Sequence, residues 1–279
     1  MDEDSGSIKR ILSSGAGGIV TKSIGLKEKK GYPNPTLIEL EHGILNAMGL
    51  PNPGIKNFKE EISELKKIEK PIIASIYGSN AKEFKELSKK MEEYGAHAVE
   101  LNLSCPHAKG LGLEIGSDKK LVKDIVSSVK KTIKIPVFVK ISSNMINLIE
   151  ISKEIEKSKA DAIVAINTVK AMKIDIELKK PVLSNIIGGY SGPAIKPIGI
   201  RCVYEIYKNT KIPIIGCGGI INGFDAIEYF MAGASAIEIG SAIYYREIDV
   251  FNKINNEIRQ WMKKNKYINL KQLIGAAHK

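Results

Sequence analysis

Seven short runs of β-branched and aliphatic residues recur along the chain, each parted from the next by a segment with helical periodicity. They occupy residues 18–22, 71–76, 98–102, 136–140, 162–167, 213–216 and 236–240. Runs that are apolar almost throughout are buried on both faces, and such strands belong to parallel sheets covered by helices. The intervening segments supply those helices. Phe84, Leu87, Ser88 and Met91 share one helical face, as do Leu121, Ile125, Val129 and Ile133. Repeated βα units of this kind build either a doubly wound sheet or a (β/α)8 barrel.

The polar residues decide between the two. Nearly every run ends in a group with chemistry: Lys22, Asn102, Lys140, Asn167, Gly218 with Gly219, and Gly240 with Ser241. A doubly wound sheet gathers its ligand at one switch point, whereas a barrel collects groups from many strand ends around one axis. The expectation is therefore an α/β fold of the (β/α)8 TIM-barrel type, one strand short, because seven runs are found and nothing before residue 18 reads as apolar. No Pro-, Ser- or Gly-rich linker divides residues 1–279. Residues 169–197 read as long and irregular, with 188–193 as an inserted active-site loop.

Charge and cysteine usage exclude several classes. The net charge is +11 over 279 residues, but the lysines stand beside glutamates, as in residues 59–61 and 82–86. That is the pattern of solvated helix faces rather than of a nucleic-acid stripe, and no basic run is interleaved with aromatics. Three widely spaced cysteines (Cys105, Cys202, Cys217) form neither a disulfide framework nor a metal site. The opening Met1-Asp2-Glu3-Asp4-Ser5 is no signal peptide. No apolar run approaches the roughly 18 residues that span a bilayer. A cytoplasmic protein without membrane or nucleic-acid partners is expected.

Chemistry concentrates at Glu100-Leu101-Asn102-Leu103-Ser104-Cys105-Pro106-His107. A strand delivers polar groups and a thiol to its carboxyl end, and Pro106 stops it. Gly110, Gly112 and Gly116 then read as keeping the next segment mobile. A thiol of lowered pKa can abstract a proton, and a mobile loop beside it can exclude water. A lone cysteine is more often a buried structural residue. Gly216-Cys217-Gly218-Gly219 and Gly240-Ser241 suit a phosphate held by backbone N–H groups with a helix dipole behind them; tight βα turns are the plainer alternative. Lys22 and Lys140 follow apolar runs, and a buried lysine needs an anionic partner. In a flavin site that partner is the electron-rich edge of the ring. Asn46, Asn102 and Asn167 with Thr168 suit a cyclic amide, although asparagines also serve as turn and cap residues.

Taken together and in order, these motifs run over nearly the whole chain: residues 20–23, 45–54, 100–106, 139–140, 166–168, 188–197, 216–220 and 240–241. In this combination the chain resembles the catalytic chain of class 1 dihydroorotate dehydrogenases. The resemblance implies a single FMN-binding barrel domain over residues 1–279. It implies that Cys105 takes the C5 proton of dihydroorotate while hydride leaves C6 for FMN. Lys22, Asn46, Ala47, Met48, Gly49, Leu50, Asn102, Asn167 and Thr168 are implied to hold substrate. Lys22, Ser23, Asn102, Lys140, Ile166, Gly192, Gly218, Gly219, Gly240 and Ser241 are implied to hold FMN. A homo- or hetero-oligomer with an iron–sulfur and FAD electron-transfer subunit is also implied. Three positions depart from the family pattern. His107 stands where the family usually has Asn, and a Cys-Pro-His run also occurs in the related dihydropyrimidine dehydrogenase domain. Ser75 stands where many relatives place Asn. The family's opening strand, with its Ala-Ser-Gly turn, is absent before Met1. The alternatives are an enzyme acting on another pyrimidine and a non-catalytic flavin-binding barrel.

Overall fold

Every one of the seven apolar runs contributes a strand to one sheet in the computed structural model, which describes residues 5–65, 69–104 and 113–279. In chain order the strands are β1 (Ile19–Val20), β2 (Leu37–Leu40), β3 (Gly43–Asn46), β4 (Ile72–Ile76), β5 (Ala98–Asn102), β6 (Val137–Ile141), β7 (Ala162–Ala165), β8 (Val169–Ala171), β9 (Ile174–Asp175), β10 (Lys180–Pro181), β11 (Gly188–Ser191), β12 (Ile214–Cys217) and β13 (Ala236–Glu238). The helices are α1 (Ser5–Ser13), α2 (Lys59–Leu65), α3 (Ala81–Tyr94), α4 (Leu113–Gly116), α5 (Lys119–Lys130), α6 (Leu148–Lys157), α7 (Lys196–Asn209), α8 (Gly223–Ala232), α9 (Ala242–Arg246) and α10 (Val250–Lys264).

The large sheet runs β1-β4-β5-β6-β7-β12-β13, with all neighbours parallel. Successive residues of a strand face opposite ways. Ile72, Ala74, Ile76, Val99, Leu101, Val137, Val139 and Ile141 point outward into the core shared with the helices. Ser75, Glu100, Asn102 and Lys140 alternate with them and point to the concave side. This is the curled α/β sheet of a TIM barrel with seven strands among the described residues, and its ladder is open between β13 and β1.

Helix α3 buries Phe84, Leu87, Ser88 and Met91, the face read from the sequence. Helix α5 buries Ile125 and Val129 as expected, with Ile133 just beyond it, but not Leu121. Asp118 caps it by accepting from Lys120 N and Leu121 N, which leaves Leu121 on the exposed first turn. The buried stripe is Val122, Ile125, Val126 and Val129. Residues before 18 are not devoid of apolar pattern either: α1 buries Ile8 and Leu12.

Residues 188–193 are not a loop for the most part. Gly188–Ser191 is a central strand of a second, antiparallel sheet ordered β2-β3-β11-β8. Its register sets Gly189 against Asn46 and Tyr190 against Val169. Among the described residues no helix is long and apolar enough to cross a membrane.

Candidate active site

The concave wall of the barrel carries one continuous run of hydrogen bonds. Ser75 on β4 lies opposite Glu100 on β5 in the ladder, and its Oγ donates to Glu100 Oε1 at 3.0 Å. Ser23, three residues past β1, lies 2.8 Å from Ser75, oxygen to oxygen. Asn102 Nδ2 donates to Ser23 Oγ at 3.0 Å. The Asn102 Oδ1 accepts from Ser104 N at 3.2 Å and Ser104 Oγ at 2.8 Å. Ser104 Oγ in turn accepts from Asn167 Nδ2 at 2.9 Å, and Thr168 N donates to Asn167 Oδ1 at 2.7 Å. The structure thus joins Ser23, Asn102, Asn167 and Thr168, four of the residues expected at the site.

Below this wall lies a buried cluster of charge. Lys140 on β6 is 7 % exposed. Its Nζ donates to Glu238 Oε2 at 2.7 Å and lies 3.6 Å from Glu100 Oε2. The anionic partner that a buried lysine requires is therefore supplied by the protein's own carboxylates. Burial alone lowers the affinity of Lys140 for its proton, but Glu100 and Glu238 outweigh that and hold it well above the ordinary lysine range. Glu100 moves the other way from a usual carboxylate. Burial pushes it up to about 7, helped by the charge of Glu238 and opposed by Lys140. Its Oε2 has no hydrogen bond within the described residues. Cys217, on the same inner face, is raised to about 12 by burial.

Three glycine-bearing turns converge at the far side of the mouth. Gly192 has φ +103°, Gly218 +119° and Gly219 +72°. A Cβ on Gly219 would come 2.7 Å from Lys196 N and 2.9 Å from Gly192 O. One on Gly218 would lie 3.5 Å from Ile166, and one on Gly192 2.9 Å from the Tyr245 hydroxyl of α9. Ile166 is tied in through its N–H, which donates to Cys217 O at 2.8 Å. The helix dipole expected behind Gly218-Gly219 is already engaged. Helix α8 starts at Gly223 with its own capping box between Asn222 and Asp225. Helix α9, by contrast, follows Gly240-Ser241 directly and carries no side-chain cap.

The small sheet covers the same end. Asn46 closes β3 and donates through Nδ2 to Gly189 O at 3.4 Å. Ala47 is buried, Met48 exposed, and Gly49 and Leu50 both have positive φ. Asn52 anchors this strip by accepting from Gly25 N and Gly54 N and donating to the Tyr77 hydroxyl. Lys22 stands half-buried just past β1. Cys105, Pro106, His107, Gly110 and Gly112 lie outside the described residues. Gly116 does not lend mobility. It is buried in α4, where a Cβ would meet Leu103 O at 2.0 Å, so it serves close packing.

A family model described as dihydroorotate dehydrogenase matches residues 1–262. The chain belongs to the dihydroorotate dehydrogenase family. It is 53 % identical over 279 residues to a protein of Thermoplasma volcanium named dihydroorotate dehydrogenase B (NAD(+)), catalytic subunit, covering all of this chain and 92 % of that one. A protein of the same name from Methanocaldococcus jannaschii is 50 % identical over 282 residues, with the same coverage of each chain. A solved structure of DHODH from Eimeria tenella, in complex with ferulenol, superposes with a TM-score of 0.82 at 21 % identity, covering 96 % of this chain and 81 % of that one. At that identity the likeness speaks for the fold.

Glu238 goes unassigned in the reading by motif, and Glu100, Ser75 and Ser104, though named there, are given no role. The dihydroorotate dehydrogenase motifs direct attention to amides, lysines and the thiol. Glu100 sits one layer lower, at the middle of β5. A charged residue at an inward-facing position of an otherwise apolar run was the available signal.

Proposed function

We propose that this chain oxidises dihydroorotate to orotate in pyrimidine biosynthesis, with FMN bound at the carboxyl mouth of the barrel. The observation that carries the reading is the wall of amides and hydroxyls from Asn167 through Ser104 and Asn102 to Ser23, joined through Ser75 and Glu100 to Lys140; Ser104 is the residue before Cys105 in the sequence. FMN fits the residues present: three positive-φ glycines allow close backbone approach, and a Cβ on Gly240 would meet no atom of the described residues within 4 Å. When bound there, FMN supplies the hydride acceptor.

The chain's own residues do the rest. The amides of Asn102 and Asn167, fixed in orientation by Ser23 and Ser104, meet the alternating N–H and C=O groups of the pyrimidine, with Asn46, Thr168 and the strip of residues 47–50 closing the site. Cys105 takes the proton from C5 as hydride leaves C6, so one C–C double bond forms and substrate loses one proton and one hydride. Lys22 and Lys140 place positive charge beside the flavin. Ser23, Ile166, Gly192, Gly218, Gly219, Gly240 and Ser241 cradle its phosphate and ring. The names of the relatives, which are catalytic subunits, support a partner subunit, whose role we take to be carrying electrons onward; the setting proposed is cytoplasmic. Anaerobic mixing of the purified protein with dihydroorotate tests the reading. Loss of flavin absorbance near about 450 nm, with orotate formed, is the expected result. Bound flavin that dihydroorotate leaves unbleached while uracil-type substrates change it would overturn the substrate assignment.

A further inference from the structure

We propose that Glu100 is a positioning residue that orients the substrate amides and steadies the flavin-side cation at the same time. This rests on the proposed function above. Glu100 Oε1 accepts from Ser75 Oγ, whether the group is ionised or carries its proton on the unbonded Oε2. Having one hydrogen, Ser75 must then accept from Ser23. With its own hydrogen spent, Ser23 can only accept from Asn102 Nδ2. That choice turns Asn102 Oδ1 toward Ser104, whose N–H and O–H both donate to it. Ser104 is left to accept from Asn167 Nδ2. Every donor in the series points toward one carboxylate, in the same sense that the backbone N–H groups of Ser104 and Thr168 impose on Asn102 and Asn167.

The other oxygen of the same carboxylate faces Lys140, 3.6 Å away and itself held by Glu238 at 2.7 Å. A flipped Asn102 would set its carbonyl against Ser23 Oγ and its NH2 against the Ser104 N–H, forfeiting two bonds in a buried wall. Since unmatched buried donors are costly, the direction shared by Glu100 and the two backbone N–H groups is retained. Ser75 is 2 % exposed and both its bonding roles are taken within the wall, so it acts on substrate only through Ser23 and Asn102.

Two variants of the flavin-loaded protein separate the two halves. Ser75→Ala cuts the series but leaves the Glu100–Lys140 contact. It should raise the Kd for orotate by roughly three- to tenfold, the worth of one hydrogen bond, with the flavin reduction potential unchanged and with recovery in Ser75→Thr. Glu100→Gln removes the negative charge as well, so it should weaken orotate binding and also move the flavin potential to a more positive value. Wild-type orotate affinity in Ser75→Ala overturns the proposal, and so does an unshifted potential in a folded Glu100→Gln. Should Glu100→Gln not fold, the Ser75 pair decides alone. A wild-type protein that holds flavin but binds no orotate refutes the functional reading instead, before any variant is compared.

Discussion

Lys140 and Glu238 meet at 2.7 Å although their strands, β6 and β13, stand three places apart in the sheet. Laid flat, those strands would be separated by roughly 14 Å. The ion pair therefore spans the concave interior and marks how far the sheet has curled. It also brings three charges into a region shielded from water, where a single cation answers two carboxylates.

Such a cluster makes Lys140 indispensable to the fold as well as to the site. Lys140→Met leaves Glu100 and Glu238 facing each other without compensation. Removing one partner of a buried pair costs about 3–5 kcal/mol, so the denaturant midpoint should fall by a large fraction of total stability. Adding Glu238→Gln to that variant should restore part of the loss. Equal stability of Lys140→Met and the parent in urea unfolding would contradict the cluster as described.

The raised Glu100 gives stability a signed dependence on pH. Its folded value is about 7 against 4.5 for the ordinary group. Between those values the folded protein keeps a proton that the unfolded chain has released, so raising pH through this window costs stability, up to about 3 kcal/mol. Lys140 is also raised, above 10.5, so its effect has the same sign but sets in only beyond that value. The melting temperature of the parent should therefore fall relative to Glu100→Gln as pH rises from 4.5 to about 8. A constant difference between the two across that range would refute it.

What could be read in the residues follows from how local each signal is. The seven barrel strands were legible because burial on both faces leaves nearly unbroken apolar runs. The small sheet was not, since β2 alternates exposed and half-buried positions and β3 pairs with β11 more than 140 residues away. Helix α1 rests on two buried residues, Ile8 and Leu12, too few to stand out. Lys140 was recognised as needing an anion, but Glu238 lies 98 residues further on, and no spacing rule joins them. Asn102, Asn167 and Ser23 stand at or just past strand ends and could be assigned to the site; Ser75 and Ser104 were named, but nothing local showed that their hydroxyls join these groups.

Cys105→Ala should keep its flavin and lose most turnover. Loss of a general base costs on the order of 10²–10⁴ in rate, whereas the glycine turns that hold the cofactor are untouched. The other two thiols cannot replace it: burial pushes Cys202 up to about 11 and Cys217 to about 12, so both stay protonated. Rapid-mixing reduction of the flavin by dihydroorotate measures this directly. Parent-like reduction in Cys105→Ala would remove the residue from the mechanism.

Two glycines at the cofactor end should respond to alanine in opposite ways. At Gly219, with φ +72°, an added Cβ runs into Lys196 N at 2.7 Å and Gly192 O at 2.9 Å, both backbone atoms that cannot step aside. Gly219→Ala should destabilise even the flavin-free protein, by about 1–3 kcal/mol from backbone strain alone. At Gly240 the same methyl meets no atom of the described residues within 4 Å, so the flavin-free protein should unfold within about 0.5 kcal/mol of the parent. Its cost should appear only on loading, as weaker retention of FMN, because the methyl occupies the space proposed for the cofactor. Gly17→Ala, equally unobstructed but away from the glycine turns, serves as the control and should change neither quantity. Undiminished FMN affinity in Gly240→Ala, measured by fluorescence titration of the stripped protein, would move the phosphate site away from Gly240 and Ser241.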